Sequence, residues 1–456
     1  MALDPKTPGV YIQEVSIFPP SIAPVATAIP AFIGYTEIAP TDPVRITSMV
    51  DYTTNFGGVH SYYSLKGSTA ALTNGTSFFS LYYAMQMYFA NGGGPCYVIS
   101  TGDYTSTPNL AHFGATWNAG ALAKLMLEDE PTLIVAPDAT LLTEDNFYTF
   151  MIACLDQCAR LQDRFVIMDV KGTVSAFRTK IGNQYLKYGA AYYPDLVTSL
   201  SVPDGAAKFD ATADTDSDLQ GDTLAAAIEA ADTDSAVANA LAATIASASQ
   251  SLQAQARANL AAKTITLGPS AAIAGVYAST DRNRGVWKAP ANVSLTGVVK
   301  PSVTITHEDQ EDLNVHSTGK SINAIRAFTG KGILVWGSRT LAGNDNEWRY
   351  VPVRRLFIFV EESIKKATEF VVFEPNDGNT WLRVKTMIEN FLTNIWKDGA
   401  LAGGTPKDAF FVKVGLNETM TADDILNGKL IIEIGMAAVR PAEFIILKFS
   451  HKLQES

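Results

Sequence analysis

Cysteine is nearly absent. Three thiols, Cys96, Cys154 and Cys158, in 456 residues cannot build a disulfide framework. Cys154 and Cys158 fall four apart on an expected helix and read as a core pair, because no further soft ligand lies near them. Histidine is almost as scarce, and His60, His112, His307, His316 and His451 form no H-E-x-x-H pair and no cluster with cysteine. No apolar run approaches the ~20 residues that span a bilayer, so direct membrane insertion is not expected. The opening MALDPKTPGVYIQEVS lacks a basic stretch followed by an apolar one, which sets the expectation of no secretion signal and of synthesis and assembly in the cytoplasm. Positive charge is short as well: the net charge of −11 argues against a nucleic-acid partner.

Catalytic motifs are missing too. There is no G-x-S-x-G elbow. Ser317-Thr318-Gly319-Lys320-Ser321 looks like the end of a phosphate loop, but position 314 is Asn where a glycine is required. The acidic stretch Glu308 to Asp312 also stands where a strand should precede it. Gly92-Gly93-Gly94 leads into a strand rather than out of one into a helix, so it is no dinucleotide loop. No catalytic residue, metal site or cofactor is assigned.

What the chain has is core. Hydrophobic residues make 47% and charged residues 18%, ample for a large buried interior. Residues 8–16 alternate as a strand, with Val10, Ile12 and Glu14 on one side and Tyr11, Gln13 and Val15 on the other. Pro19, Pro20 and Pro24 follow as a stiff connector, so this lone strand must join a sheet, its own or a neighbour's. From Ile29, strands expected at 31–37, 96–100, 132–138 and 164–170 alternate with helices at 76–90, around 119–129 and at 144–160. That order describes βαβ units and a mainly parallel sheet, and 185–196 adds one more strand. Between 204 and 262 nine acids face only Lys208 and Arg257, a net of −7, in an Ala-rich stretch read as a helical hairpin inserted into the α/β body. The body resumes at 264–280.

The stretch Arg339 to Trp381 organises the remainder. Val353, Leu356, Phe357, Val360 and Ile364 make one apolar helix face behind Pro352. Ile358 and Phe359 form a second one, to be covered by the chain's own core or by a neighbouring subunit. Arg354, Arg355, Lys365 and Lys366 make a basic cluster, read either as a solvated face with internal ion pairs or as a contact surface. A strand at 370–373, a helix at 380–397, a strand at 409–414, a short helix capped by Thr421 and strands at 430–437 and 443–449 complete an α+β region. The expected division is an arm at 1–28, a body at 29–203 and 264–338 interrupted by the insertion at 204–263, and a C-terminal assembly domain at 339–456.

Trp348-Arg349-Tyr350, Val353-Arg354-Arg355-Leu356-Phe357, Glu361-Glu362-Ser363-Ile364, Phe373-Glu374-Pro375-Asn376-Asp377 and Trp381 come in a distinctive order. GALAGGTPKDAFFVKV (399–414), MTADDILNGKLIIEIGMAAVRPAEF (420–444), GVYASTDRNRGVWKAPAN (275–292) and PGVYIQEV (8–15) join them. Together they resemble the contractile tail sheath proteins of bacteriophages and related injection machines, over nearly everything but 204–262. The resemblance implies a structural subunit, not an enzyme, that polymerises helically around an inner tube and contracts to drive it through a target envelope. It implies as partners further copies of the chain, the inner tube protein, and baseplate and terminator or cap proteins. It implies that the arms Val10–Val15 and Phe444-Ile445-Ile446-Leu447-Lys448-Phe449 add strands to a neighbour's C-terminal sheet. It also implies that Arg354, Arg355, Lys365 and Lys366 face the tube. The residues alone leave a second reading open, a cytosolic α/β hydrolase-like enzyme with an oligomerising C-terminal domain.

The acidity and low complexity of the insertion place it on an outer surface. Replacing Asp204–Lys263 with a short Gly/Ser linker is expected to leave assembly and contraction intact. Loss of soluble protein on that replacement would show instead that the segment packs into the core.

Overall fold

The computed structural model describes residues 21–60, 63–66, 69–72, 78–202, 207–209, 258 and 264–446. Two compact units emerge. One contains 26–355 and 441 onward, here called the body, and the other contains residues up to Val25 and 356–440, here called the C-terminal unit. The division falls inside the helix Val351–Thr368 rather than at 338/339, and the chain returns to the body after Arg440.

The body is built on a nine-stranded sheet. Across it lie Val293–Ser294, Gly332–Val335, Ile322–Phe328, Gly189–Tyr193, Phe165–Asp169, Leu133–Val135, Pro30–Thr36, Cys96–Asp103 and Val44–Ile46. The six middle strands run parallel, and antiparallel strands close both edges. Pro30–Thr36 and Phe165–Asp169 are buried at every residue. Parallel strands require cover on both faces, and near-continuous apolar runs are their signature. The alternation expected from the sequence is therefore present. The antiparallel strands Val44–Ile46, Val293–Ser294 and Gly332–Val335 are too short to announce themselves.

Two helices that pack on each other, Leu81–Ala90 and Ser270–Arg284, share an unusual start. Neither has a side-chain cap from its own N-terminal residue. Buried carboxylates serve instead, Asp138 from the 3-10 turn Pro137–Leu141 that follows the strand Leu133–Val135 and Asp169 from the end of the strand Phe165–Asp169. Asp138 accepts from the backbone N–H of Ser80 (2.6 Å) and Leu81 (3.1 Å), and also from Tyr35 N–H (2.9 Å). Asp169 accepts from Ser270 N–H (2.8 Å) and Oγ (2.7 Å). A negative charge at a helix N-terminus satisfies orphan amides and complements the dipole. Burial nevertheless pushes the Asp138 carboxyl up to about 6 and that of Asp169 to about 7, the hydrogen bonds opposing it only in part.

In the C-terminal unit, the helix Gly378–Lys397 begins at Asp377, whose carboxylate accepts from Asn379 and Thr380 N–H, and ends at Gly399 with φ +86°. The second apolar face of Val351–Thr368 is covered within this unit: Phe359 meets Phe391 at 6.1 Å. Phe410–Lys413 and Glu433–Met436 pair as an antiparallel two-stranded sheet. The helix Ala422–Leu426 carries the expected capping box of Thr421 and Asp424.

One expected strand is corrected. Glu369–Val371 is a 3-10 turn followed by Phe373 at φ +71°, fully exposed, because this β-branched run finds no partner strand among the described residues. Of the strand expected at 443–449, residues 447–449 lie outside the described residues; Glu443–Ile446 joins no ladder among the described residues of this one chain, and the Glu443 carboxylate accepts from Arg339 (2.6 Å). The inserted hairpin lies outside the described residues, except that its approach holds a short strand, Ala207–Phe209, parallel to Tyr63–Lys66.

The helix pair meets at Gly275. A Cβ there would stand 2.5 Å from the Tyr88 carbonyl oxygen and 2.9 Å from the Asn91 Cβ. Gly275→Val is expected to destabilise the body by about 1–3 kcal/mol or more in urea unfolding, because backbone cannot yield as a side chain does. Gly378→Val, which meets nothing within 4 Å, provides the control.

Candidate functional site

The residues that hinted at chemistry are tied into structure. Lys320 of the phosphate-loop lookalike is buried, with Nζ donating to the Arg178 carbonyl, and a strand rather than a helix follows it. His112 Nδ1 lies 2.9 Å from the Tyr35 hydroxyl, and His316 Nδ1 lies 2.8 Å from Thr318 Oγ1. All three thiols are buried. Among the described residues no three His, Cys, Asp or Glu side chains gather as a metal site.

The unfinished surface belongs to the C-terminal unit. Phe357, Val360 and Ile364 of the long helix face Leu430, Ile432, Ile434 and Met436 across a groove of about 440 Å³. On the sheet behind it, Ala437 N–H donates to the Ala409 carbonyl, Val439 N–H donates to that of Ala400, and the Ala437 carbonyl accepts from Ala402. Backbone groups alternate in direction along a strand. Those of Ile434, Met436 and Ala438 therefore point to the opposite edge. A two-stranded sheet with an edge of this kind is marginal in water. On the other side of the same unit, Val25 N–H of the N-terminal connector donates to Ser363 Oγ (3.2 Å).

The predicted arms fare unequally. Val10, Tyr11, Ile12, Gln13, Glu14 and Val15 lie outside the described residues, as do Leu447, Lys448 and Phe449. Phe444, Ile445 and Ile446 are described and present 67%, 79% and 80% of their surface to solvent.

The four basic residues do not form one surface. Arg354 is 2% exposed, its guanidinium over the rings of Trp348 (4.7 Å) and Tyr188 (4.8 Å). Arg355 is 3% exposed and paired with Asp281 at 2.5 and 3.0 Å, stacked 4.6 Å over Tyr277. Neither arginine therefore stands on the exposed basic surface expected from the sequence. A stacked or bidentate guanidinium gains more from these partners than from water. Lys365 and Lys366 reach outward, and both approach Glu362, at 3.2 and 3.6 Å. Sequence reasoning passed over Asp281, Arg339 and Glu443. Each lies in or beside a quoted motif, but no local spacing links one to another.

The family models for the phage tail sheath protein central domain and the phage tail sheath C-terminal domain match residues 119–341 and 343–452. The tail sheath protein of Vibrio phage KVP40 is 26% identical over 181 residues, 39% of this chain and 25% of that protein. A putative prophage major tail sheath protein of Pseudomonas aeruginosa is 26% identical over 174 residues, 38% of this chain and 43% of that protein. The chain thus spans less than half the length of these curated relatives. Solved structures match from end to end. The anti-feeding prophage helical sheath in its contracted state is 34% identical with a TM-score of 0.67, covering 98% of this chain and 99% of that one. The sheath complex of the extracellular contractile injection system PVC, also contracted, is 32% identical with a TM-score of 0.64, covering 99% of each.

The two classes of basic residue are expected to separate in denaturation experiments. Arg355→Met leaves Asp281 buried without its partner and should cost about 3–5 kcal/mol of body stability. Lys365→Glu, at a solvated position, should move stability by no more than about 0.5 kcal/mol. Equal effects would contradict this placement of the charges.

Proposed function

The chain belongs to the phage tail sheath family, and from that premise we propose that it is the structural subunit of a contractile sheath. Copies stack helically around an inner tube, and the extended sleeve shortens and widens to drive the tube through a target envelope. The observation that carries this reading is the end-to-end match to sheaths captured in a contracted state. The chain works as a structural element rather than an enzyme. The work of contraction comes from packing held in a metastable extended assembly, with no nucleotide or cofactor. Made and assembled in the cytoplasm, it becomes part of a virion tail or tail-like particle. Its partners are its own copies, the tube protein, and baseplate and terminator proteins.

The C-terminal unit supports a strand-sharing mode of assembly. Among the described residues its sheet has two strands, an outward row of backbone groups and an adjoining, mostly apolar groove. Phe444, Ile445 and Ile446 leave the body exposed. We assign the arms, Val10–Val15 and Phe444–Phe449, to the sheets of neighbouring copies. A contact from the end of one copy to the sheet of the next does not close on itself, so it propagates as a helix. The covalent link from arm to body keeps neighbours joined while bodies slide. Of the basic candidates, Lys365 and Lys366 remain for the tube. The acidic segment 204–263 decorates the outer surface.

Deleting residues 1–20 is expected to leave a folded, soluble monomer that does not polymerise. Ile12→Pro should act similarly, because proline donates no ladder bond. Sheaths of normal length from either variant in electron micrographs would refute strand sharing by the N-terminal arm.

A further inference from the structure

The chain passes between its two compact units three times, after Val25, after Arg355 and after Arg440. On the body side of each passage the chain is fastened by a buried arginine. Arg355 is itself the last body residue of the second passage. Its Nη2 donates to the carbonyl of Thr27 (2.9 Å), two residues beyond the first passage, and both terminal nitrogens reach Asp281. Arg339 fastens the third passage: its Nε and Nη2 donate to Glu443 at 2.9 and 2.6 Å, three residues beyond Arg440. Asn314 Nδ2 (2.8 Å) and the Tyr350 hydroxyl (3.0 Å) donate to the same carboxylate. Burial alone would raise the Glu443 carboxyl, but the Arg339, Asn314 and Tyr350 donors overcome it and hold it below the usual range.

Both nodes consist wholly of body residues and lead back to the parallel sheet. Asn323 on the strand Ile322–Phe328 holds the backbone of Arg339 through its N–H (2.7 Å) and carbonyl (2.8 Å). Asp281 sits on the helix Ser270–Arg284, which Asp169 of the strand Phe165–Asp169 caps. The guanidinium groups are 3% exposed, so water does not readily replace their partners. Two arginines thus account for three passages, from residues scattered over more than four hundred positions.

We propose that these nodes are roots that carry force, fixing every passage to the body so that tension from the C-terminal unit reaches the sheet instead of peeling its edge. The tension rests on the sheath reading, whereas the fastening itself does not. Full-length Glu443→Ala, Glu443→Gln and Asp281→Asn proteins can be compared with the parent by NMR backbone order parameters of the monomer and by electron microscopy of sheaths before and after contraction. Glu443→Ala is expected to lower the order parameters of Ala442–Phe444 from about 0.85 to below about 0.6 while those of Phe165–Asp169 are unchanged. Glu443→Gln should fall between it and the parent, and Asp281→Asn should act likewise over Ala26–Ala28. Variant sheaths should assemble to parental length and then fragment on contraction. Unchanged order parameters over Ala442–Phe444 would overturn the rooting. A fall shared equally by Phe165–Asp169 would reduce the node to an ordinary stabiliser and overturn it too. Contracted variant sheaths as intact as the parent's would overturn the load. A parent chain that forms no sheath would remove the sheath reading and the load with it, and the order parameters would still decide the rooting.

Discussion

A charge taken out of water must bring its partner with it, and in this protein that constraint organises the places where the chain changes units. Arg355 is buried against Asp281, over Tyr277, and Tyr277 in turn meets the Tyr192 hydroxyl at 2.7 Å. One side chain therefore ties the start of the long helix, the helix Ser270–Arg284, the strand Gly189–Tyr193 and the backbone at Thr27 into one polar knot. A knot of this kind contributes less to net stability than to fixing one arrangement, because removing a single member leaves the rest buried and unsatisfied.

The same logic governs the body's interior. Asp138, in the 3-10 turn after Leu133–Val135, and Asp169, at the end of Phe165–Asp169, cap helices that lack local caps of their own. Sheet and helix layers are thereby locked together by polar contacts as well as by packing. The C-terminal unit contrasts with this. Its helices are well capped and pack through Phe359 and Phe391, but among the described residues its sheet stops at two strands, and its groove is mostly apolar. A well-covered sheet in one unit and an open sheet edge in the other suit a polymerising subunit. The first part survives handling, and the second leaves assembly something to gain.

The legible parts of the chain were those where residues close in sequence decide the outcome. The helix around Leu356 and Val360, its stripe, the cap at Thr421 and the alternation of strands and helices all follow from spacing and local hydrogen bonding. The failures share one cause. Val371, Val372 and Phe373 have strand-forming side chains but no strand beside them among the described residues, and β propensity is realised only through a partner. Arg354 and Arg355 look like half of a basic surface because sequence displays charge and hides the ring or carboxylate that receives it.

By itself the sequence determined the family, the α/β character of the body, the helices of the C-terminal region and the lack of any motif for catalysis. These depend on periodicity, on turn and cap chemistry, and on ordered motifs that a linear chain carries openly. Only the tertiary structure decided which charges face inward and that Asp138 caps a helix 57 positions upstream. It alone brought Glu443 to Arg339 across 104 positions. The physical reason is that such contacts depend on which distant residues the sheet order brings together, and spacing along the chain carries no record of that order.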